Sequence, residues 1–159
     1  MKKLKLYLET TIFNFYFADD APDKQTDTIK LFTEIAGNKY EAFASMSVIK
    51  EISRASDEKR QLMFDLINEN NIGILEDNTE AEKLSEIYVE EGIIPIKYST
   101  DGVHIALATV YDMDIIVSWN FKHIVKRKTI IMTALVNNRE GYKGIDIYSP
   151  SEVVENDEE

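Results

Sequence analysis

The sequence predicts an α/β fold, a three-layer sandwich with helices on both faces of a mostly parallel sheet of about five strands. Three observations predict it. Short apolar runs alternate with stretches of helical period along the chain, the pattern of βαβ crossovers. The run Ile115–Ile116–Val117 has no polar residue in it, as in a strand covered on both faces. The chain has 159 residues, 44% of them hydrophobic and 30% charged, which suits one domain around one core.

The elements follow in order. LKLYLE (4–9) reads as the first strand. A helix follows over about 23–38, where Ile29, Phe32 and Ile35 recur at helical spacing. EAFASM (41–46) is the second strand, and Ser47 then caps a helix carrying Val48, Ile49 and Ile52. Residues 57–70 form a helix with Leu62, Met63, Leu66 and Ile67 on one face, and IGILE (72–76) is a short strand. Asn78 or Thr79 opens a helix to about Glu91, and Pro95 breaks the connection after it. Ser99 or Thr100 caps a strongly apolar helix reaching about Met113, which leads into the strand IIVS. A helix near 129–139 and the strand IDIYS (145–149) complete a domain over residues 1–150, and 151–159 form an acidic tail.

Composition narrows the function. There is no cysteine, so neither disulfides nor thiolate metal sites are open to the chain. The start, MKKLKLYLETTIF, is too short an apolar run, broken by Glu9, for a signal peptide, and no stretch approaches the ~18 apolar residues of a membrane span. No membrane partner is expected, and the expected location is the cytoplasm. A net charge of −11 argues against nucleic-acid binding by bulk electrostatics, but five of the acids lie in the last eight residues, EVVENDEE. Positive charge gathers in KHIVKRK (122–128), which holds Lys122, Lys126, Arg127 and Lys128 together with His123. GxGxxG and GxxxxGK[ST] loops are both absent, which removes dinucleotide and P-loop readings.

In open parallel sheets, ligands bind outside the carboxyl ends of the strands. Glu9, Thr10 and Thr11 follow the first strand, and Ser118, Trp119 and Asn120 occupy the same position after IIV. Oxygen-bearing side chains therefore meet at one edge. Glu9 ends an apolar strand, where an acid is costly to bury unless paired or bound to a cation. Glu51 lies one turn from Val48 in SVIKEI, where a solvated helix position also accounts for it. Asp101 opens DGVHIALATV, where favourable contact with the helix dipole also explains an acid. His104, one turn after Asp101, suits either a satisfied core histidine or support of a carboxylate. Clustered carboxylates repel or hold a cation, and oxygen ligands suit Mg²⁺ or Mn²⁺ rather than zinc.

The segments YLETTIFNFYF, SVIKEI, DGVHIALA, SWNFKHI and GIDIYSPSEV, in that order, resemble a bacterial or archaeal PIN-domain protein, a superfamily that includes VapC-type toxin ribonucleases. The resemblance runs from Lys5 to about Val154. It implies a PIN-like parallel sheet sandwiched by helices and metal-dependent cleavage of RNA by a carboxylate cluster. Glu9, Glu51 and Asp101 match the family's acidic positions as catalytic and metal-binding residues, and Asn120 matches a further one. Thr10, Thr11, His104 and Ser118 would support these ligands, and Lys122, Lys126, Arg127 and Lys128 would meet RNA phosphates. Two positions depart from the pattern: Glu9 is a methylene longer than aspartate, and Asn120 brings no charge. The expectation is a Mg²⁺- or Mn²⁺-dependent endoribonuclease, with RNA, an antitoxin protein and a second copy of the chain as candidate partners. The alternative is an inactive PIN-like module that binds RNA or a protein.

Overall fold

The computed structural model describes residues 2–155 of the chain. Strands β1 (Leu4–Leu8), β2 (Tyr40–Ser45), β3 (Gly73–Leu75), β4 (Ile115–Val117) and β5 (Asp146–Tyr148) form one sheet in the order β3-β2-β1-β4-β5. Every adjacent pair is parallel. Helices α1 (Thr10–Tyr16) and α2 (Pro22–Ala36) connect β1 to β2, and α3 (Met46–Ile52) and α4 (Asp57–Glu69) connect β2 to β3. From β3 the chain returns through α5 (Thr79–Glu90), a 3-10 turn Ile96–Tyr98 and α6 (Ser99–Val110) to β4. Helix α7 (Arg127–Arg139) leads to β5, and α8 (Pro150–Val153) follows.

Right-handed crossovers put α1–α4 on one face and α5–α7 on the other, because the chain steps outward from β1 in opposite directions. The packing agrees: α1 meets α2, α3 and α4, while α5 lies along α6. β1 sits in the middle of the sheet, and Leu6, Tyr7 and Leu8 are fully buried beside Ile116 and Val117 of β4. The sheet reverses its strand order between β1 and β4, so a crevice opens where these two strands end. This is the architecture the alternation of strand and helix predicts.

Local details differ from the sequence reading. Thr10–Tyr16 is a helix although its β-branched and aromatic residues favour strand, because burying Ile12 and Phe13 against the core outweighs propensity. Helix α3 is capped by Ser45, not Ser47: Ser45 ends β2 in an extended conformation, and its Oγ accepts the Val48 N–H at 3.3 Å. The Ser47 hydroxyl turns instead to Asp77, at 3.2 Å. Neither Ser99 nor Thr100 caps α6, which grows out of the preceding 3-10 turn with Tyr98 at its N-cap. Asn78 does cap α5, accepting the Ala81 N–H at 2.7 Å.

The acidic C-terminal segment begins inside the fold. Ser149 and Glu152 form a capping box at α8, and Ser151 donates to Asp27 at 2.7 Å. The Glu155 N–H donates to Glu34 at 3.1 Å, and residues 156–159 of the expected tail lie outside the described residues. Among the described residues no helix is long and apolar enough to cross a membrane.

Candidate metal centre

Glu9 links β1 to α1, so the end of the central strand fixes its backbone, and its N–H donates to the Val117 carbonyl at 3.1 Å. Its side chain is only 3% exposed. Oε1 accepts two hydroxyl hydrogen bonds of 2.6 Å, one from Thr11 and one from Ser118. Oε2 has no hydrogen bond among the described residues, so one carboxylate oxygen is held and the other is not. Burial raises the Glu9 pKa, and the His104 charge and the two hydroxyls oppose that rise.

The two hydroxyls are themselves placed by β4. Ser118 Oγ accepts the Asn120 N–H at 2.9 Å, and Thr11 Oγ1 accepts the Trp119 N–H at 2.8 Å. Trp119 is anchored from below, its indole N–H donating to Thr28 at 2.8 Å on α2. SWN is thus a turn tied to α1 and α2 that brings two hydroxyls to one carboxylate oxygen. Thr10 does not join it, because its buried hydroxyl has no hydrogen-bond partner.

Glu51 arrives from α3 and is held by His104 on α6, whose Nε2 lies 2.5 Å from Glu51 Oε1. The other ring nitrogen, Nδ1, is 2.6 Å from the Tyr7 hydroxyl, which lies 2.7 Å from Ser45 Oγ. All donors are used if Ser45 donates to Tyr7, Tyr7 donates to Nδ1, and Nε2–H donates to Glu51. Burial alone would lower the His104 pKa, but the Glu51 hydrogen bond and the charges of Glu9, Glu51 and Asp101 outweigh it and raise the value. Burial also holds the Tyr7 hydroxyl far above its usual range, so it stays a donor.

Ligand atoms of Glu9, Glu51 and His104 lie within 4.8 Å of one another. Because both His104 nitrogens are engaged, the donor set is two carboxylates with a histidine that orients one of them. Asp101 lies in the first turn of α6, half-buried. Burial raises its pKa, and the Asn120 side chain, His104 and His123 pull it back. Asn120 is fixed in turn, its Oδ1 accepting the His123 N–H at 2.9 Å. Glu9, Glu51 and His104 thus form the cluster, with Thr11 and Ser118 bonded to Glu9, while Asp101 and Asn120 are not part of the group within 4.8 Å. Tyr7 and Ser45 are joined to the cluster through His104. A tyrosine in an otherwise apolar strand is the one sequence signal that could have found them, since a buried phenol needs a partner.

Of the basic segment, Lys122 is exposed, with its Nζ 5.5 Å from the Tyr98 ring centroid, and Arg127 is exposed at the start of α7. Lys126 is half-buried at the N-cap of α7. Lys128 is already occupied, donating to the Gly92 carbonyl at 2.8 Å. A cavity of about 470 Å³ lies at the opposite edge of the sheet, lined by Lys3, Lys5, Asp114 and Lys143, and shares no residue with the carboxylates.

An all-parallel, five-stranded α/β/α sandwich with acids at its switch point is consistent with a PIN-like fold. The fold is similar to that of a chain in the crystal structure of VapBC2 from Rickettsia felis bound to a DNA fragment from their promoter. The TM-score is 0.57 at 14% identity, over 92% of this chain and 98% of that one. At this identity the likeness is one of fold. No family model matches the sequence, and no curated protein is similar to it at a significant level.

Proposed function

We propose that the protein is a PIN-type endoribonuclease that uses Mg²⁺ or Mn²⁺ at Glu9, Glu51 and Asp101, with Asn120 as a neutral fourth group. The observation that carries this reading is the treatment of Glu9: a buried carboxylate at the switch point, one oxygen fastened by two hydroxyls and the other left unbonded. Hard oxygen donors of this kind suit these ions. When bound, the ion supplies the Lewis acidity that polarises a phosphodiester and activates water. The chain's own part is positional. Thr11 and Ser118 fix Glu9, His104 fixes Glu51, and the His123 N–H fixes Asn120. Lys122, Lys126 and Arg127, which make no ion pair among the described residues, offer contacts to RNA phosphates. The resemblance to VapC-type toxins and the fold shared with a VapBC2 chain support an antitoxin protein as partner.

The test is cleavage of single-stranded RNA with Mn²⁺ by the parent protein and by Asn120→Asp. The substitution adds one negative charge at the ion with almost no change in size and keeps the acceptor for the His123 N–H. It should increase cleavage or lower the Mn²⁺ concentration needed, and Asp101→Asn or excess chelator should abolish cleavage. If parent and Asn120→Asp both bind RNA and neither cuts it with any divalent ion, the protein is a binding module instead.

A further inference from the structure

Tyr98 ends the 3-10 turn before α6, three residues ahead of Asp101. Its ring lies against the His123 imidazole, with centroids 4.3 Å apart and planes inclined by 31°. Lys97 and Lys122 bring their ammonium groups to 5.8 and 5.5 Å from the same ring centroid. The tyrosine is 36% exposed, so part of this stack faces solvent. His123 is 8% exposed, and its Nε2, shut off from water, has no hydrogen-bond partner among the described residues. Its backbone N–H donates to Asn120 Oδ1 at 2.9 Å, so the residue stands next to Asn120.

Each of these features fits one ligand chemistry. A part-exposed aromatic ring takes the flat face of a nucleobase. The two lysines over the ring can swing from it to the phosphates on either side of that base. His123, packed against the ring, holds its plane in position. A base inside a duplex is already stacked on its neighbours and cannot present its face, so the arrangement selects unpaired nucleotides.

We infer that Tyr98, backed by His123 and flanked by Lys97 and Lys122, is a base-stacking platform that holds an unpaired nucleotide of single-stranded RNA beside Asp101 and Asn120. The inference rests on the ribonuclease reading, because it supplies that site with its substrate.

The test measures binding of a short unstructured RNA to the full chain in chelator at low salt. The RNA carries 2-aminopurine, whose fluorescence falls when it stacks. Tyr98→Ala should weaken binding by about tenfold to a hundredfold and lose the fluorescence quench. Tyr98→Phe keeps the ring and should bind and quench like the parent, which a merely structural role for the side chain would not separate. An abasic RNA of equal length should bind the parent as weakly as the normal RNA binds Tyr98→Ala. Tyr98→Ala binding within twofold of the parent, with an equal quench, overturns the platform. If the parent still cuts RNA with Mn²⁺ in that case, the ribonuclease reading stands without it. A parent protein that neither binds nor cuts RNA removes both.

Discussion

Replacing Ser118 by Ala should destabilise the metal-free protein by an amount that depends on pH in a definite direction. The hydroxyl donates to Glu9 Oε1 at 2.6 Å in a buried setting and accepts the Asn120 N–H at 2.9 Å. A hydrogen bond to a charged acceptor is worth about 1.5–3 kcal/mol, and the Asn120 bond adds less because that residue is partly open to water. Thr11 still donates to the same oxygen, so Glu9 is not stripped bare. The expected loss is about 2–3 kcal/mol at pH 7.5, which for a chain of this length lowers the melting temperature by about 4–12 °C.

The pH dependence follows from Glu9. Burial raises its folded pKa above the unfolded value, so the folded protein takes up this proton at higher pH than the unfolded chain. The ionised form therefore costs stability, and that cost appears as pH rises from about 4.3 through the folded pKa. The Ser118 hydroxyl opposes the rise, so its removal hurts most where Glu9 is charged. Urea unfolding of parent and variant in chelator, at pH 7.5 and at pH 4.5, reads the difference directly. The penalty should shrink at the lower pH. A penalty below about 0.5 kcal/mol at pH 7.5, or one equal at both values, would show that Ser118 does not stabilise a charged Glu9.

Tyr7→Phe removes a fully buried hydroxyl and takes one partner from Ser45 Oγ, which still accepts the Val48 N–H, and the partner of His104 Nδ1, so denaturant melts should show a loss of about 2–3 kcal/mol. A loss under about 0.5 kcal/mol would mean that the Ser45–Tyr7–His104 chain is not formed in solution. Asp101→Asn should be more stable than the parent in chelator, because burial makes the ionised aspartate unfavourable at neutral pH. Adding Mn²⁺ at about a hundred times its dissociation constant should raise parent stability by about 2.7 kcal/mol and leave Asp101→Asn nearly unchanged. Equal melting shifts in the two proteins would rule Asp101 out as a ligand.

The edge on which the site sits was legible because strand ends obey a topological rule that needs no contacts. Glu9 and Ser118 fall at the carboxyl ends of β1 and β4 whatever their side chains do, and the apolar run on either side marks those ends. The residues that orient the cluster were harder to read. His104 touches Tyr7 across 97 positions and Glu51 across 53, so neither bond has a local signature. Sequence spacing put His104 one turn from Asp101 and left open which carboxylate it would bond, and the fold brings its Nε2 to Glu51. Helix α1 was hidden for a similar reason, since TTIFNFY carries strand propensity and becomes helical only where Ile12 and Phe13 find the core. The shift of the α3 cap from Ser47 to Ser45 depended on where β2 ends, a boundary that periodicity fixes only to within a few residues.

Glu9 itself gives the strongest physical argument for function. A carboxylate whose pKa is raised by burial opposes folding at neutral pH, and an apolar side chain in its place would remove that cost. The groups that offset it are the Thr11 and Ser118 hydroxyls and the charge of His104, which is shared with Glu51, a second acid in the same cluster. His104 is the basic group of that cluster, and a single imidazole stands against two carboxylates. The frame therefore holds two carboxylates in place and cancels only part of their charge, at the position where the sheet's topology opens a crevice. Such an arrangement lowers stability in the empty protein and gains only when a cation enters. Local structure that works against stability in this way is expected at a functional site, not in a scaffold.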